Sequence, residues 1–292
     1  MVRAVDPRSK IFITAAEFAE LLRAGKPVTV LDVRWSLEAP DGRPAYLGGH
    51  LPGAVYVSLE DELSDHTVPD RGRHPLPTGR DLEAAARRWG VRRNVPVVVY
   101  DDWHRAGSGR LWWLLTTSGV ADVRILDGGL AAWTQAGGEL HTGEVCPEPG
   151  NVTLLPEDLY EGLRPTLTAD EAGEGARTGS IALLDARAPE RFRAEVEPVD
   201  AAAGHIPGAK NLPFTALLGA DGTLLSDEQI IGLLAERGIG DDATVGTYCG
   251  SGISATVIVA ALAAVGRSAA MFPGSWSQWS SDASRPVARG AH

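Results

Sequence analysis

The chain reads Tyr248-Cys249-Gly250-Ser251-Gly252-Ile253-Ser254-Ala255 directly after a β-rich segment that begins at Ala243. An unbroken apolar run follows from Ala255 to Val265 and stops at Gly266, which predicts a buried helix with a glycine C-cap. The cysteine thus lies between a strand end and a helix start, among backbone N–H groups that have no partner within the helix. These groups and the helix dipole favour the thiolate. The pattern predicts a nucleophilic cysteine, and a buried structural cysteine is the alternative.

The composition is that of an average globular protein. The 292 residues are enough for about two domains, and 44% of them are hydrophobic and 22% charged. The formal charge of −11 argues against nucleic acid or an anionic membrane as a partner. Two cysteines exclude a disulfide framework and indicate a reducing compartment. No signal-peptide pattern and no run long enough to span a bilayer are present, so the sequence predicts a cytoplasmic protein.

One ordered set of short motifs occurs twice along the chain. The pairs are Leu31–Arg34 with Leu184–Arg187, Gly49–Ala54 with Gly204–Ala209, Tyr100-Asp101 with Tyr248-Cys249, and the segments that end at Trp133 and Trp279. This order predicts a tandem duplication, and the alternation of short strands and helices predicts α/β halves with mainly parallel sheets. The expected domains are residues 1–140 and 165–292, with a linker at 141–164 that is rich in Gly, Pro and Glu.

These motifs resemble the tandem rhodanese family of sulfurtransferases over essentially the whole chain. The resemblance is carried by two Gly-His-(Ile/Leu)-Pro-Gly-Ala turns, two Leu-Asp-x-Arg strand ends and the segment Gly-Gly-Leu-x-x-Trp. It implies two rhodanese-like domains, each with a mainly parallel β-sheet flanked by helices, of which the second holds the reactive cysteine. Asp101 occupies the position of Cys249 in the first half. Because a carboxylate cannot carry sulfur, we expect the first half to be catalytically inactive.

Within the family, the loop that follows Cys249 is more similar to that of 3-mercaptopyruvate sulfurtransferases than to that of thiosulfate sulfurtransferases. The latter usually carry basic residues directly after the cysteine, which suits a dianionic donor, and this loop has none. The resemblance implies transfer of sulfur from 3-mercaptopyruvate through a Cys249 persulfide to a thiol such as reduced thioredoxin, or to cyanide. Thiosulfate:cyanide transfer and a non-catalytic persulfide carrier are the alternatives.

The sequence lacks the motifs expected for a cysteine phosphatase, a metal site or a phosphate-binding loop. A cysteine phosphatase of related fold needs an arginine six residues after the cysteine, and position 255 is alanine. No His, Cys, Asp or Glu cluster has metal-ligand spacing, and no glycine loop of the phosphate-binding type occurs. We therefore expect an enzyme without a metal or other cofactor.

Three arginines, Arg187, Arg191 and Arg193, follow the predicted strand that ends at Asp185. Ligands of open parallel sheets bind outside the carboxyl ends of the strands, where an arginine pair could hold an α-keto carboxylate. By the resemblance, Arg187 is the first candidate for donor binding and Arg191 the second, with Arg193 at the surface. A structural pair of Arg187 with Asp185, or an arginine pair with Glu190, is the alternative.

The hydroxyl of Ser251 could reach the reacting sulfur. In the mercaptopyruvate enzymes this serine is thought to work with a histidine and an aspartate of the first domain, and His74 and Asp61 match their places, with Glu60 as an alternative to Asp61. An imidazole can relay a proton through the hydroxyl while a carboxylate fixes its tautomer. A solvent-exposed His74 without a role is the alternative reading.

The loop backbone has a predicted role of its own. Inward N–H groups would stabilise the anionic persulfide. The residues expected to supply these groups, or to contact the donor, are Gly250, Gly252, Ile253 and Ser254, together with Ser251.

Overall fold

The computed structural model describes residues 6–291, which divide into two compact units. Unit 1 contains the described residues up to Asp65, Leu76–Arg164 and Leu218–Leu224. Unit 2 contains His66–Pro75, Pro165–Leu217 and the described residues from Leu225 onward. The predicted linker, residues 141–164, is grouped with unit 1. The division at residues 140 and 165 stays a prediction about the domains.

Unit 1 is built on a five-stranded parallel sheet with the strand order β1-β5-β4-β2-β3. Its strands are β1 (Phe12–Ile13), β2 (Thr29–Asp32), β3 (Val55–Tyr56), β4 (Val97–Tyr100) and β5 (Val123–Leu126). Its helices are α1 (Pro7–Ile11), α2 (Ala15–Arg23), α3 (Arg43–Gly48), α4 (Leu59–Glu62), α5 (Gly79–Arg88), α6 (Ala106–Thr117) and α7 (Gly129–Gln135), and Leu159–Glu161 forms a 3-10 turn. All residues of the central strand β4 are buried, as expected where helices cover both faces of a parallel sheet.

Unit 2 repeats this plan with a four-stranded parallel sheet in the order β7-β6-β8-β9. Its strands are β6 (Ala182–Asp185), β7 (Lys210–Asn211), β8 (Val245–Tyr248) and β9 (Ala269–Met271). Its helices are α8 (Ala169–Thr178), α9 (Pro189–Phe192), α10 (Asp227–Ala235), α11 (Ala255–Ala264) and α12 (Ser275–Ser281), with a 3-10 turn at Phe214–Leu217. The predicted α/β class, with parallel sheets flanked by helices, is confirmed in each unit.

Helix α11 is the buried helix that the apolar run predicted. Every residue of α11 except Ala263 is buried, which explains why its sequence has no polar face. Val265 is the C-cap, and Gly266 follows in the left-handed region with φ +75°, where glycine is favoured.

The core of unit 2 fixes both ends of the cysteine loop. Tyr248 at the end of β8 and Trp276 in α12 are fully buried in one apolar cluster with Phe192 and Phe272. Fully burying a large apolar side chain stabilises a fold by roughly 1.5–3 kcal/mol. The loop between β8 and α11 is therefore held by well-packed neighbours.

Candidate active site

The sulfur of Cys249 lies in the loop between β8 and α11, and the residue is only 1% exposed. The backbone N–H of Gly252 donates a hydrogen bond to Sγ at 3.1 Å. Burial raises the pKa of the Cys249 thiol, but hydrogen bonds from the Ser254 hydroxyl and from the N–H groups of Ala255, Ser251 and Gly252 outweigh it, so the pKa lies below its ordinary value. The site favours the thiolate, the form that acts as a nucleophile.

The loop residues contribute in different ways. Gly252 donates its N–H to the sulfur, while the Ser254 hydroxyl and the N–H groups of Ala255 and Ser251 contribute by lowering the pKa of Cys249. The sequence did not single out Ala255. Gly250 and Ile253 serve as backbone acceptors. The Gly250 carbonyl accepts from the N–H of Ser277, and the Ile253 carbonyl accepts from the N–H and the hydroxyl of Thr256.

Ser275, which was not predicted from the sequence, accepts a hydrogen bond from the backbone of Cys249. The Cys249 N–H donates to the Ser275 hydroxyl oxygen at 3.1 Å, and that oxygen lies 3.9 Å from Sγ. Ser275 is fully buried and has φ +54°, a left-handed conformation that is costly for a residue with a β-carbon. The available signal was the repeat, because Ser275 stands where the first half has Gly129, whose φ is +55°.

Arg187 is part of the framework of unit 2. It is buried, pairs with Asp185 at 2.7 Å and Glu197 at 3.3 Å, and donates to the Gly204 carbonyl at 2.6 Å. Its guanidinium also lies over the Trp276 ring, 4.7 Å from the centroid.

The first half contains the same arrangement. Arg34 pairs with Asp32 at 2.8 Å and donates to the Gly49 carbonyl. A contact that recurs in the half with an aspartate, Asp101, at the position of the cysteine indicates a structural role. The geometry therefore favours the structural alternative for Arg187 over donor binding.

Arg191 lies beside the cysteine loop together with a second guanidinium, that of Arg73. A methyl group on Gly250 would lie 3.2 Å from Arg73 Nη2 and 3.6 Å from Arg191 Nη1, so both side chains converge on the residue after Cys249. The Asp200 carboxylate joins them, since it accepts from Arg191 at 2.9 Å and pairs with Arg73. The sequence offered no signal for Arg73 beyond its place next to His74.

The segment that carries Arg73 is anchored to the start of α12. The Arg73 N–H donates to the Ser277 hydroxyl at 3.1 Å, and Gln278 Nε2 donates to the Asp70 carbonyl at 2.8 Å. Gly72 has φ +86°, and a β-carbon there would lie 2.5 Å from the Gly274 carbonyl oxygen. This close backbone approach requires glycine, and it fixes the position from which the Arg73 side chain extends.

The three residues of the predicted proton relay belong to different units. His74 belongs to unit 2 and is 5% exposed, so it is not the solvent-exposed bystander of the alternative reading, and its ring centroid lies 5.7 Å from that of His66. Asp61 belongs to unit 1, where its carboxylate accepts from the Ser58 hydroxyl at 2.8 Å near the start of α4. Glu60 accepts from the Trp35 indole. The joint action of Ser251, His74 and Asp61 stays a prediction.

In unit 1, a carboxylate occupies the place that Cys249 has in unit 2. Asp101 is fully buried and accepts hydrogen bonds from the N–H groups of Trp103, Arg105 and Ser108 and from the Ser108 hydroxyl, at 2.7–3.1 Å. The loop N–H groups of the first half thus bind an anion that belongs to the chain itself.

Two kinds of feature are absent from residues 6–291. No group of three or more His, Cys, Asp or Glu side chains in this part of the chain is arranged to hold a metal ion. No helix in it is long and apolar enough to cross a membrane.

The family model for the Rhodanese-like domain matches residues 14–136 and 168–282. The chain therefore belongs to the tandem rhodanese family of sulfurtransferases, which confirms the resemblance seen in the motifs.

Several relatives cover nearly the whole chain. It is 62% identical over 286 residues to a Mycobacterium tuberculosis protein named "Putative thiosulfate sulfurtransferase SseB", with 98% of this chain and 99% of that protein covered. It is 43% identical to a "Probable 3-mercaptopyruvate sulfurtransferase" of Pseudomonas aeruginosa, with 95% and 98% covered. The crystal structure of the 3-mercaptopyruvate sulfurtransferase SseA from Escherichia coli superposes with a TM-score of 0.80 at 32% identity, covering 91% of this chain and 98% of that one.

Proposed function

We propose that the protein transfers a sulfur atom from 3-mercaptopyruvate to a thiol or to cyanide through a persulfide on Cys249. The observation that carries this proposal is the environment of Cys249, whose sulfur accepts hydrogen bonds from loop N–H groups and from the Ser254 hydroxyl. Such an environment stabilises both the attacking thiolate and the anionic persulfide that forms from it. The relatives named 3-mercaptopyruvate sulfurtransferase support the donor.

In the first step the Cys249 thiolate attacks the sulfur of 3-mercaptopyruvate. A sulfur–sulfur bond forms, the carbon–sulfur bond breaks, and its electron pair leaves on the carbon as the enolate of pyruvate. A proton then converts the enolate to pyruvate, and we assign its delivery to Ser251 and His74, with Asp61 fixing the imidazole. Arg191 is positioned to bind the donor carboxylate, while Arg187 holds the framework.

In the second step an acceptor takes the outer sulfur. An acceptor thiolate attacks that sulfur, so that the acceptor becomes a persulfide and Cys249 leaves as the thiolate; cyanide gives thiocyanate in the same way. Reduced thioredoxin is the acceptor we propose. Cys146 and Cys249 are both free cysteines, which agrees with the reducing cytoplasm that we propose as the location.

Thiosulfate is the second candidate donor. Two observations favour it: the name of the 62% identical relative and the presence of two guanidinium groups beside Gly250. Here the thiolate attacks the outer sulfur, the sulfur–sulfur bond of thiosulfate breaks, and sulfite leaves with the electron pair. The persulfide is the same, so the two donors differ only in how the site binds them.

The test is a set of initial rates with each donor on one purified sample, with cyanide as the acceptor. Cys249→Ser is expected to abolish turnover of both donors and the gain of one sulfur atom in the protein mass after donor treatment. Cys146→Ser is the matched control and is expected to retain both. Substantial turnover by Cys249→Ser would refute the persulfide mechanism, and a persulfide without turnover would identify a carrier instead of an enzyme.

A further inference from the structure

We propose that Arg73 is a second donor-binding residue that lets the site accept a doubly charged donor. The inference rests on the proposed sulfur transfer and concerns how the donor is selected. The loop after Cys249 has no basic residue of its own, and the structure places a guanidinium beside it from the distant segment His66–Pro75.

The position of Arg73 fits an anion attached to the transferred sulfur. Its Nη2 atom is the one closest to Gly250, the residue that follows the nucleophile, and Arg191 Nη1 approaches the same point. In thiosulfate the sulfonate group is bonded directly to the outer sulfur, so a donor seated on Cys249 must place charged oxygens within a few ångströms of that sulfur. The two guanidinium groups meet that requirement.

Both arginines have donors left for a ligand. Arg73 is 27% exposed and Arg191 is 17% exposed, so each remains partly open to solvent. Within residues 6–291, the Nε atoms of both are buried and have no hydrogen-bond partner. Arg191 pairs with Glu197 and Asp200 through Nη2, and Arg73 pairs with Asp200 through Nη1. Arg187 instead uses Nε, Nη1 and Nη2 for two carboxylates and a carbonyl. The protein therefore does not saturate the guanidinium of Arg73 or that of Arg191.

The charges around Arg73 and Arg191 favour the binding of an anion between them. Burial lowers the pKa of Arg73, and repulsion by Arg191 lowers it further, whereas Cys249 and Glu197 oppose the shift. Asp200 bridges the two guanidinium groups and Glu197 pairs with Arg191 at 2.6 Å, so these carboxylates offset part of the repulsion. An anion bound between them would relieve the rest, and a dianion would do so more than a monoanion.

The two candidate donors should therefore depend on Arg73 to different extents. A single carboxylate, as in 3-mercaptopyruvate, can be held by Arg191 alone through paired charge-assisted hydrogen bonds. Thiosulfate carries two negative charges and needs both arginines. We expect Arg73→Gln to raise the KM for thiosulfate by about tenfold or more, the loss typical of a hydrogen bond to a charged group. The KM for 3-mercaptopyruvate is expected to rise much less.

The experiment measures kcat and KM of the wild type and Arg73→Gln with thiosulfate and with 3-mercaptopyruvate. Arg193→Gln is the matched control, because Arg193 pairs with Glu195 at the surface and its side chain is 38% exposed. Arg191→Gln is expected to weaken the binding of both donors and so to raise both KM values. If Arg73→Gln fails to fold, Arg73→Met, which keeps the apolar stem without the charge, decides by the same criterion.

The outcomes separate this inference from the proposed function. A thiosulfate KM that changes no more in the Arg73 variant than in Arg193→Gln overturns the role of Arg73, while persulfide formation on Cys249 still stands. Equal losses for the two donors overturn the selective role. If the wild type forms no persulfide with either donor, the proposed function itself fails.

Discussion

The hydroxyl of Ser254 is expected to control how much of Cys249 is thiolate. It is the leading contact that lowers the pKa of the cysteine against the opposing effect of burial. Ser254→Ala removes this hydrogen bond and leaves the backbone N–H donors in place. The pKa of Cys249 should therefore rise, and the acid limb of the pH–rate profile for persulfide formation should move to higher pH.

The size of the effect follows from the type of contact. A hydrogen bond to a charged group contributes roughly 1.5–3 kcal/mol, and about 1.4 kcal/mol corresponds to a factor of ten. Ser254 is partly exposed, so water can replace its hydroxyl in part, and the lower end applies. At a pH below both pKa values, the thiolate fraction of Ser254→Ala should be about tenfold smaller than that of the wild type.

The assay is the ultraviolet absorbance of the thiolate as a function of pH, with Cys249→Ser subtracted to remove the signal of Cys146. Ser251→Ala is the matched control, because Ser251 contacts the sulfur through its backbone N–H, which the substitution keeps. Its titration curve should coincide with that of the wild type. Its turnover of 3-mercaptopyruvate should nevertheless fall by roughly 10²–10⁴, if its hydroxyl relays the proton to the enolate.

Two results would refute this reasoning about the loop. If Ser254→Ala titrates like the wild type, the hydroxyl does not stabilise the thiolate. If Ser251→Ala shifts the curve as much as Ser254→Ala does, the side-chain and backbone contributions have been assigned to the wrong residues. Full turnover by Ser251→Ala would leave the thiolate argument intact and remove Ser251 from the proton relay.

Two further predictions concern stability. In urea unfolding, Ser275→Gly should be more stable than Ser275→Ala by about 1 kcal/mol. Both variants lose the acceptor for the Cys249 N–H, but only glycine adopts φ +54° without strain. Equal stabilities of the two variants would contradict backbone strain at Ser275. Asp101→Asn should destabilise unit 1 by about 3 kcal/mol, because a buried acceptor of four hydrogen bonds loses its charge. Asp122→Asn, at a side chain that is 52% exposed, is its control in thermal unfolding, and an equal effect of the two would show that the Asp101 contacts are unimportant.

The sequence predicted what depends on local pattern. The buried helix α11 followed from an apolar run with a glycine at its end, and the parallel sheets followed from the order of short strands and helices. The environment of Cys249 could also be predicted from the sequence, because a loop at the start of a helix supplies N–H groups in any fold. These features depend on residues that are close together along the chain.

The contacts of the arginines could not all be predicted from local sequence patterns. Arg73 and Arg191 meet only because the segment His66–Pro75 packs within unit 2, and no spacing in the sequence reveals that contact. The role of Arg187 is different, since the repeat contained the signal. Arg34 occupies the same place in the half that has Asp101 at the position of Cys249, and a shared feature of both halves indicates a structural role.

The two loops that follow Tyr100 and Tyr248 have a similar geometry but bind different groups. In unit 1 the N–H groups hold a permanent carboxylate, and the loop includes His104 and Arg105 at φ +50° and +66°, a strain that the hydrogen bonds to Asp101 can hold in place. In the proposed mechanism the group bound in unit 2 changes from thiolate to persulfide and back, so it cannot provide constant support. There Gly252 takes the left-handed position without strain, and a β-carbon would lie 2.2 Å from the Pro273 carbonyl oxygen. The loop of Cys249 thus depends on glycine and on packing against the segment before α12, whereas the loop of Asp101 depends on its built-in anion.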